Sequence, residues 1–455
     1  MSDGTRRRPS IFGALVIIAI GAVFLLHNFY GDFDGWDFLY HWWPALLILL
    51  GLARLVDYAF ESRSDGTGRH GLGAGQIVLI IFIVLLIAGA IARHQLKARG
   101  VPVDGFPPII AIGETYSFND PSQSIAAPAA PRVNISTQRG DITVHAESAT
   151  QIRVEIKKSA NAISEHDAQK RADRVHVTVT DNHDGSFDVR TEGDSSDMSR
   201  VDVDLEVYVP QKAAINAATD RGDIQTFGVA GNLEVNTHNG DIDAQDSGAD
   251  VTAETQKGDV RITTAGGNVK LSGKGDEVEI SDVKGEAVIE GEFFGPIRLT
   301  RITEGARFLS QRTNLTVTTL AGRLDADSGN IEITDITGDV TLDTQKNDVT
   351  LENVAGHIQI EDQDGDVDLR FAQPPRADVS VTDGSGDISV VLPAQAAFQV
   401  DAQSESGDTA SDFSGVKKTG NDENDHNGLS GQVGTHGPKI HLRTSYGDIN
   451  LRKAA

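Results

Sequence analysis

Three evenly spaced aspartates are the first residues whose type and interval could do chemistry. Asp223, Asp241 and Asp259 stand eighteen residues apart, each directly after a glycine. If they stack in successive coils of a repeat, their carboxylates lie ~5 Å apart, the spacing of neighbouring strands. Like charges at that distance repel by about 1 kcal/mol in water and roughly 3 kcal/mol at an effective dielectric of 20. Two arrangements could offset this. Each carboxylate could accept backbone N–H bonds and so close a tight corner, or the three could share a divalent cation. Calcium-binding nonapeptide repeats need Gly-Gly-x-Gly-x-Asp, whereas one glycine per corner is the rule here. Corner closure is the expected role. No cofactor and no metal are expected, and Asp223, Asp241 and Asp259 are the candidates if a cation binds.

Other chemistry finds little support. The chain has no cysteine, so it offers no disulfide, thiolate metal site or cysteine nucleophile. There is no His-Glu-x-x-His, no phosphate-binding glycine loop and no Gly-x-Ser-x-Gly. His145, His166, His238, His357 and His441 share no spacing, and a lone histidine such as His238 between apolar strand positions is expected to face solvent. Two Arg-Gly-Asp triplets, at Arg139 and Arg221, are what chance supplies among so many Gly-Asp corners.

The elements that would position these aspartates follow from a repeat. From Arg221 to Arg370 an apolar residue returns about every nine positions, as in Ile224, Leu233, Ile242, Val251, Val260, Val269 and Val278. A second, mostly apolar position follows two residues later, with a polar residue between. That alternation marks a strand with one buried face. The interval stretches to ten at Ala287–Ile297 and shrinks to seven at Leu324–Ile331. Gly-Asp precedes the apolar residue at Gly222, Gly240, Gly258, Gly338 and Gly365, and the first three recur every eighteen residues. Alternate strands therefore differ, and one coil is two strands. The expected fold is all-β: a parallel β-solenoid with about two strands and 18 residues per coil, over 221–455.

Residues 132–220 are less regular. They read as an N-terminal β cap with an early coil at Val133–Val144, and a short helix opening at Ser164-Glu165-His166-Asp167. A cap is expected because an open solenoid end leaves strand edges unpaired. Residues 100–131 hold six of the fourteen prolines and read as a linker. Residues 417–437 are rich in Gly, Asn, Asp and His and read as a flexible loop, after which Ile440 to Leu451 closes the C-terminal coil.

Residues 1–99 read as a membrane domain. Three apolar stretches predict transmembrane helices over about 10–30, 37–58 and 72–92. Trp36, Trp42 and Trp43 cluster at the start of the second, where an interfacial belt belongs. Arg6, Arg7 and Arg8 precede the first helix, and Arg54, Arg63 and Arg69 separate the second from the third. The intervening loop carries Asp32, Asp34 and Asp37 with no base. The positive-inside rule then places the N-terminus in the cytoplasm and everything beyond residue 93 outside. Arg93, Lys97 and Arg99 argue the other way. Residues 101–455 hold 31 basic and 59 acidic residues, a net charge of −28, which repels nucleic acid and anionic headgroups and favours cations.

The run RRRPSIFGALVIIAIGAVFLL followed by WPALLILLGLARL resembles the membrane hairpin of LiaI/LiaF-like envelope-stress proteins. VDLEVYVP, the repeated GDI/GDV corners and the closing TSYGDINLR resemble a bacterial family known as putative adhesins, a domain of unknown function. That resemblance covers about residues 132–452 and implies a right-handed single-chain β-helix exposed at the cell envelope. It implies no ligand. The expected protein is a non-enzymatic, multi-pass protein of the bacterial inner membrane, its solenoid used for interaction, adhesion or envelope-stress sensing. Its partners would be other envelope proteins or polysaccharide. The competing expectation is a β-helix carbohydrate-active enzyme with carboxylates such as Glu332, Asp343 and Glu352 along a solenoid face.

Overall fold

The computed structural model describes residues 114–162, 164–420 and 427–454. The three expected membrane helices lie outside these residues. Among the described residues no helix is long and apolar enough to cross a membrane.

Two sheets face each other across a continuous core. In the first, Ile142, Ile224, Ile242, Val260, Val278 and Ile297 lie side by side in parallel register. In the second, Val133, Ile215, Leu233, Val251, Val269, Ala287 and Ala306 do the same. Consecutive strands alternate between the sheets, so a coil is two strands and eighteen residues. The alternation in sequence becomes alternation in burial: Ile242 and Ala244 are buried, Asp243 between them is not. Long parallel ladders of this kind need both strands of every coil to bury one apolar face against the other sheet.

Each coil of the first sheet also carries a third inward residue, at Ser247, Ala265, Val283 and Ile302. To reach it the chain passes through left-handed backbone at Asp246, Thr264, Asp282 and Arg301. Asp335 and Asn353 repeat this further on. Aspartate and asparagine tolerate that conformation, but a β-branched residue does not. Thr264 is exposed with φ of 62°. Thr264→Asn is expected to stabilise the solenoid by about 1 kcal/mol, read as a raised denaturant midpoint of the full chain.

The stack departs from simple succession in three places. First, strands Thr313–Val317 and Leu320–Ala326 run antiparallel to both neighbours in their sheets. One coil is thus reversed between two forward stacks. Tight turns at Ser310–Thr313 and Asp327–Asn330 make the reversals, and Asp327 Oδ1 accepts the Gly329 and Asn330 N–H groups at 2.8 and 2.7 Å. Beyond it, Ile331, Val349, Val367 and Ile388 resume the parallel ladder.

Second, the first coil does not end the stack. Strands Arg132–Arg139 and Ile142–Glu147 are inserted between the cap and the coil at 214–227. Third, the last coil is likewise internal. Lys439–Tyr446 lies between Val379–Ser385 and Phe398–Ser406, and Ile449–Lys453 between Ile388–Leu392 and Thr409–Ser411. Ile440–Leu451 forms a coil as its pattern predicts, but Phe398–Ser411 lies beyond it in the stack.

The ends are covered. At one, helix α1 (Glu165–Ala172) starts at Ser164, whose hydroxyl accepts the Asp167 N–H, and buries Ala168 and Ala172. Where the proline-rich stretch reads as linker, Glu114–Ala126 forms a strand antiparallel to Gln151–Ala162, with an irregularity at Asp120–Gln123 around Pro121. At the other end, in the stretch that reads as a loop, Val416–Thr419 and Asn427–Val433 form an antiparallel pair on Phe398–Ser406.

Candidate functional site

The Gly-Asp corners stack into a column along one edge of the first sheet. Asp223 N–H donates to Asp141 Oδ1 at 2.9 Å, Asp241 N–H to Asp223 Oδ1 at 2.8 Å, and Asp259 N–H to Asp241 Oδ1 at 2.8 Å. Glu277 N–H continues the column to Asp259 Oδ1 at 2.9 Å. Each carboxylate therefore reaches the backbone of the next coil rather than its own. A hydrogen bond to a charged group contributes about 1.5–3 kcal/mol, comparable with the repulsion between neighbouring carboxylates. The second stack repeats the device: Asp387, Asp448 and Asp408 N–H groups donate to Asp366, Asp387 and Asp448.

The glycines are there for space. At Gly222 the backbone has φ of 142°, and a Cβ would lie 2.1 Å from the Gly140 carbonyl oxygen. Inside the corner a threonine completes the motif Thr-x-x-Gly-Asp. Thr219 and Thr237 hydroxyls donate to the Gly140 and Gly222 carbonyl oxygens at 3.3 and 3.1 Å. This buried hydroxyl column is a part of the corner that the apolar periodicity does not reveal. Its signal was the threonine three positions before Gly140, Gly222, Gly240 and Gly258.

The column borders two grooves on the outward face. One, of about 530 Å³, includes Asp120, Asp141, Glu155, Lys157, Asp204 and Glu206. The other, of about 190 Å³, includes Asp223, Asp241, Asp243, Asp259, Arg261 and Glu279. The bases present are engaged: Lys157 lies 3.7 Å from Asp204 and Arg261 3.1 Å from Glu279. Glu279 holds the Arg261 guanidinium above its ordinary pKa, chiefly through their hydrogen bond. The face is thus carboxylate-rich with a few paired cations. Among the described residues no group of three or more His, Asp or Glu is arranged to hold a metal ion. The melting temperature of the full chain is expected to be the same in millimolar calcium and in chelator; a rise of several degrees with calcium would make Asp223, Asp241 and Asp259 a cation site.

The scattered histidines do not converge. His238 is exposed, and His357 contributes its backbone N–H to Asp339. His145 stacks between Tyr208 and Phe227, with ring centroids 5.2 Å from each, and Arg153 covers Tyr208 at 3.6 Å. The faces of His145 and Tyr208 are thereby covered. Glu332 and Glu352 lie on the first sheet and Asp343 on the second, so the structure does not bring the three together. A groove of about 390 Å³ on the cap does combine Lys170, Arg171, Arg174 and Arg200 with Asp167 and Asp197. Its carboxylates are taken: Asp167 accepts the Ser164 hydroxyl at 2.9 Å and Asp197 pairs with Arg174 at 3.3 Å.

A two-sheeted solenoid whose corners are closed by stacked carboxylates defines a class of structural repeat. The chain belongs to the Toastrack DUF4097 family, which it matches over residues 131–452, and residues 12–112 match the LiaF transmembrane domain. It is a membrane protein with an all-β body. A cell adhesion protein from Clostridium sporogenes, described as putative, aligns with 74% of this chain and 100% of its own at 9% identity and a TM-score of 0.16. A putative adhesin from Bacteroides fragilis aligns with 74% of this chain and 97% of its own at 11% identity and a TM-score of 0.18. Such scores add nothing to the family match. No curated protein matches the chain.

Proposed function

We propose that this is a non-enzymatic protein of the bacterial cytoplasmic membrane that holds its solenoid outside the cytoplasm as an interaction surface. Helices at about 10–30, 37–58 and 72–92 anchor it, and the solenoid is right-handed. The observation that carries the reading is the acidic outward face, where the Asp141–Asp259 column borders two carboxylate-lined grooves. Such a face favours partners that present basic groups, because complementary charge accelerates encounter and fixes register. Envelope proteins are the partner class, and sensing or adhesion would follow from occupancy of the face. The carbohydrate-active reading lacks support: its carboxylates are dispersed over both sheets, and the acids of the basic groove on the cap are engaged.

The test is photocrosslinking in intact cells from a benzoylphenylalanine at Asp243 on the acidic face and, as a reference, at Glu254 on the opposite sheet. Crosslinks from Asp243 that are absent from Glu254 support the reading. Equal or absent crosslinking at both sinks it.

A further inference from the structure

The buried hydroxyl column has two exceptions. In the second stack it reads Thr344, Asp362, Asp383, Thr444 and Ser404, neighbours in parallel register. Asp362 is 6% exposed and Asp383 2%. Thr444 and Ser404 do what Thr237 does, donating to the Gly386 and Gly447 carbonyl oxygens at 3.2 and 2.7 Å. A carboxylate has no hydrogen to donate. The Oδ2 atoms of Asp362 and Asp383 are buried without a hydrogen-bond partner. Each crowds the same glycine as the carbonyl that a hydroxyl would serve. A Cβ built at Gly386 would meet the Gly365 carbonyl oxygen at 2.0 Å and Asp383 Oδ2 at 2.8 Å. One built at Gly365 would meet the Asn347 carbonyl oxygen at 2.4 Å and Asp362 Oδ2 at 2.9 Å.

We propose that Asp362 and Asp383 form a proton-binding site, in which a carboxylic acid takes the place of threonine and donates to the corner carbonyl. Acid then tightens the second stack and neutral or alkaline conditions loosen it. The proton comes from solvent and no other bond changes.

The surroundings agree. Asp362 Oδ1 accepts the Gln363 N–H at 2.7 Å and Asp383 Oδ1 the Ser385 N–H at 3.2 Å, which leaves each Oδ2 as the atom to protonate. The ionisable groups facing the pair are the two aspartates themselves with Asp348, Asp364 and Asp366, all acidic. Thr344 and Thr444 flank it, and Arg443 beside Thr444 is exposed and bonded to His441 and Gln403. Burial first, then neighbouring carboxylates, raises Asp362 and pushes Asp383 up to about 6. The sign follows. A carboxyl with a raised folded pKa contributes stability present below its ordinary value and lost as pH rises through about 6.

The experiment is hydrogen exchange on the detergent-solubilised full chain at pH 5 and pH 7, corrected for intrinsic exchange. Amides of 379–392 and 439–453 are expected to gain about tenfold in protection at pH 5, the response to one unit of titration. Asp383→Thr, which restores the column's usual residue, is expected to give high protection at both pH values, and Asp383→Asn to lose the pH response as well. Equal protection of the wild-type segments at the two pH values overturns the proposal, as does a pH response that survives when Asp362 and Asp383 are both replaced by asparagine.

Discussion

Replacing Gly222 with alanine is expected to cost roughly 4 kcal/mol, the sum of overpacking against a backbone atom and strain at a positive φ. The cause is local and stated by geometry. The added Cβ meets the Gly140 carbonyl oxygen at 2.1 Å and Asp141 Oδ1 at 3.0 Å, and neither can yield without breaking the column. The Gly140 oxygen already accepts from Thr219, and Asp141 Oδ1 accepts the Asp223 N–H. Against a typical total of 5–15 kcal/mol, such a loss leaves the solenoid marginal. Gly329 is the control. Its nearest atom to a built Cβ is Asp327 Oδ1 at 3.9 Å, and Gly329→Ala is expected within about 0.5 kcal/mol of wild type. Chemical denaturation of both variants checks the pair; equal midpoints would mean that the corners do not need glycine for close approach.

Deleting residues 439–455 is expected to have the larger effect. It removes the buried Ile440, Leu442, Ile449 and Leu451, each contributing about 2 kcal/mol by burial. It also removes a coil with neighbours on both sides. Phe398–Ser406 and Thr409–Ser411 are joined to the rest of the two sheets through that coil. The deletion should therefore release 398–433 as well, and limited proteolysis should trim the chain back to near Leu392. If the coil were the outermost closure, 398–433 would stay protected.

Much of this architecture was legible in the residues. The nine-residue apolar return gave both sheets, the alternate Gly-Asp corners gave the eighteen-residue coil, and Ser164 marked its helix. What escaped shares one cause. Inward and outward alternation is the same for a strand running either way, so Leu315 and Leu324 gave no sign of reversal. Only the short interval to Ile331 and the turn-forming Asp327-Ser328-Gly329 did. Likewise every coil carries the same corner, so nothing local says which coil sits on which. The inserted coils at 132–147 and 439–453 are decided by tertiary pairing. Glu114–Ala126 is polar and interrupted by Pro121 because it is a sheet-edge strand. The candidate site was half legible. Asp223, Asp241 and Asp259 were found, but their partner atoms belong to the next coil. Asp362 and Asp383 were hidden because they occupy a threonine position next to corners already rich in aspartate.

The account rests on the solenoid standing outside the cytoplasm. The chain has no cysteine, so one can be introduced alone. Ser328 is exposed in the turn of the reversed coil. Ser328→Cys is expected to react with a membrane-impermeant maleimide in intact cells. Labelling that appears only after the membrane is lysed would place the solenoid in the cytoplasm and contradict the account.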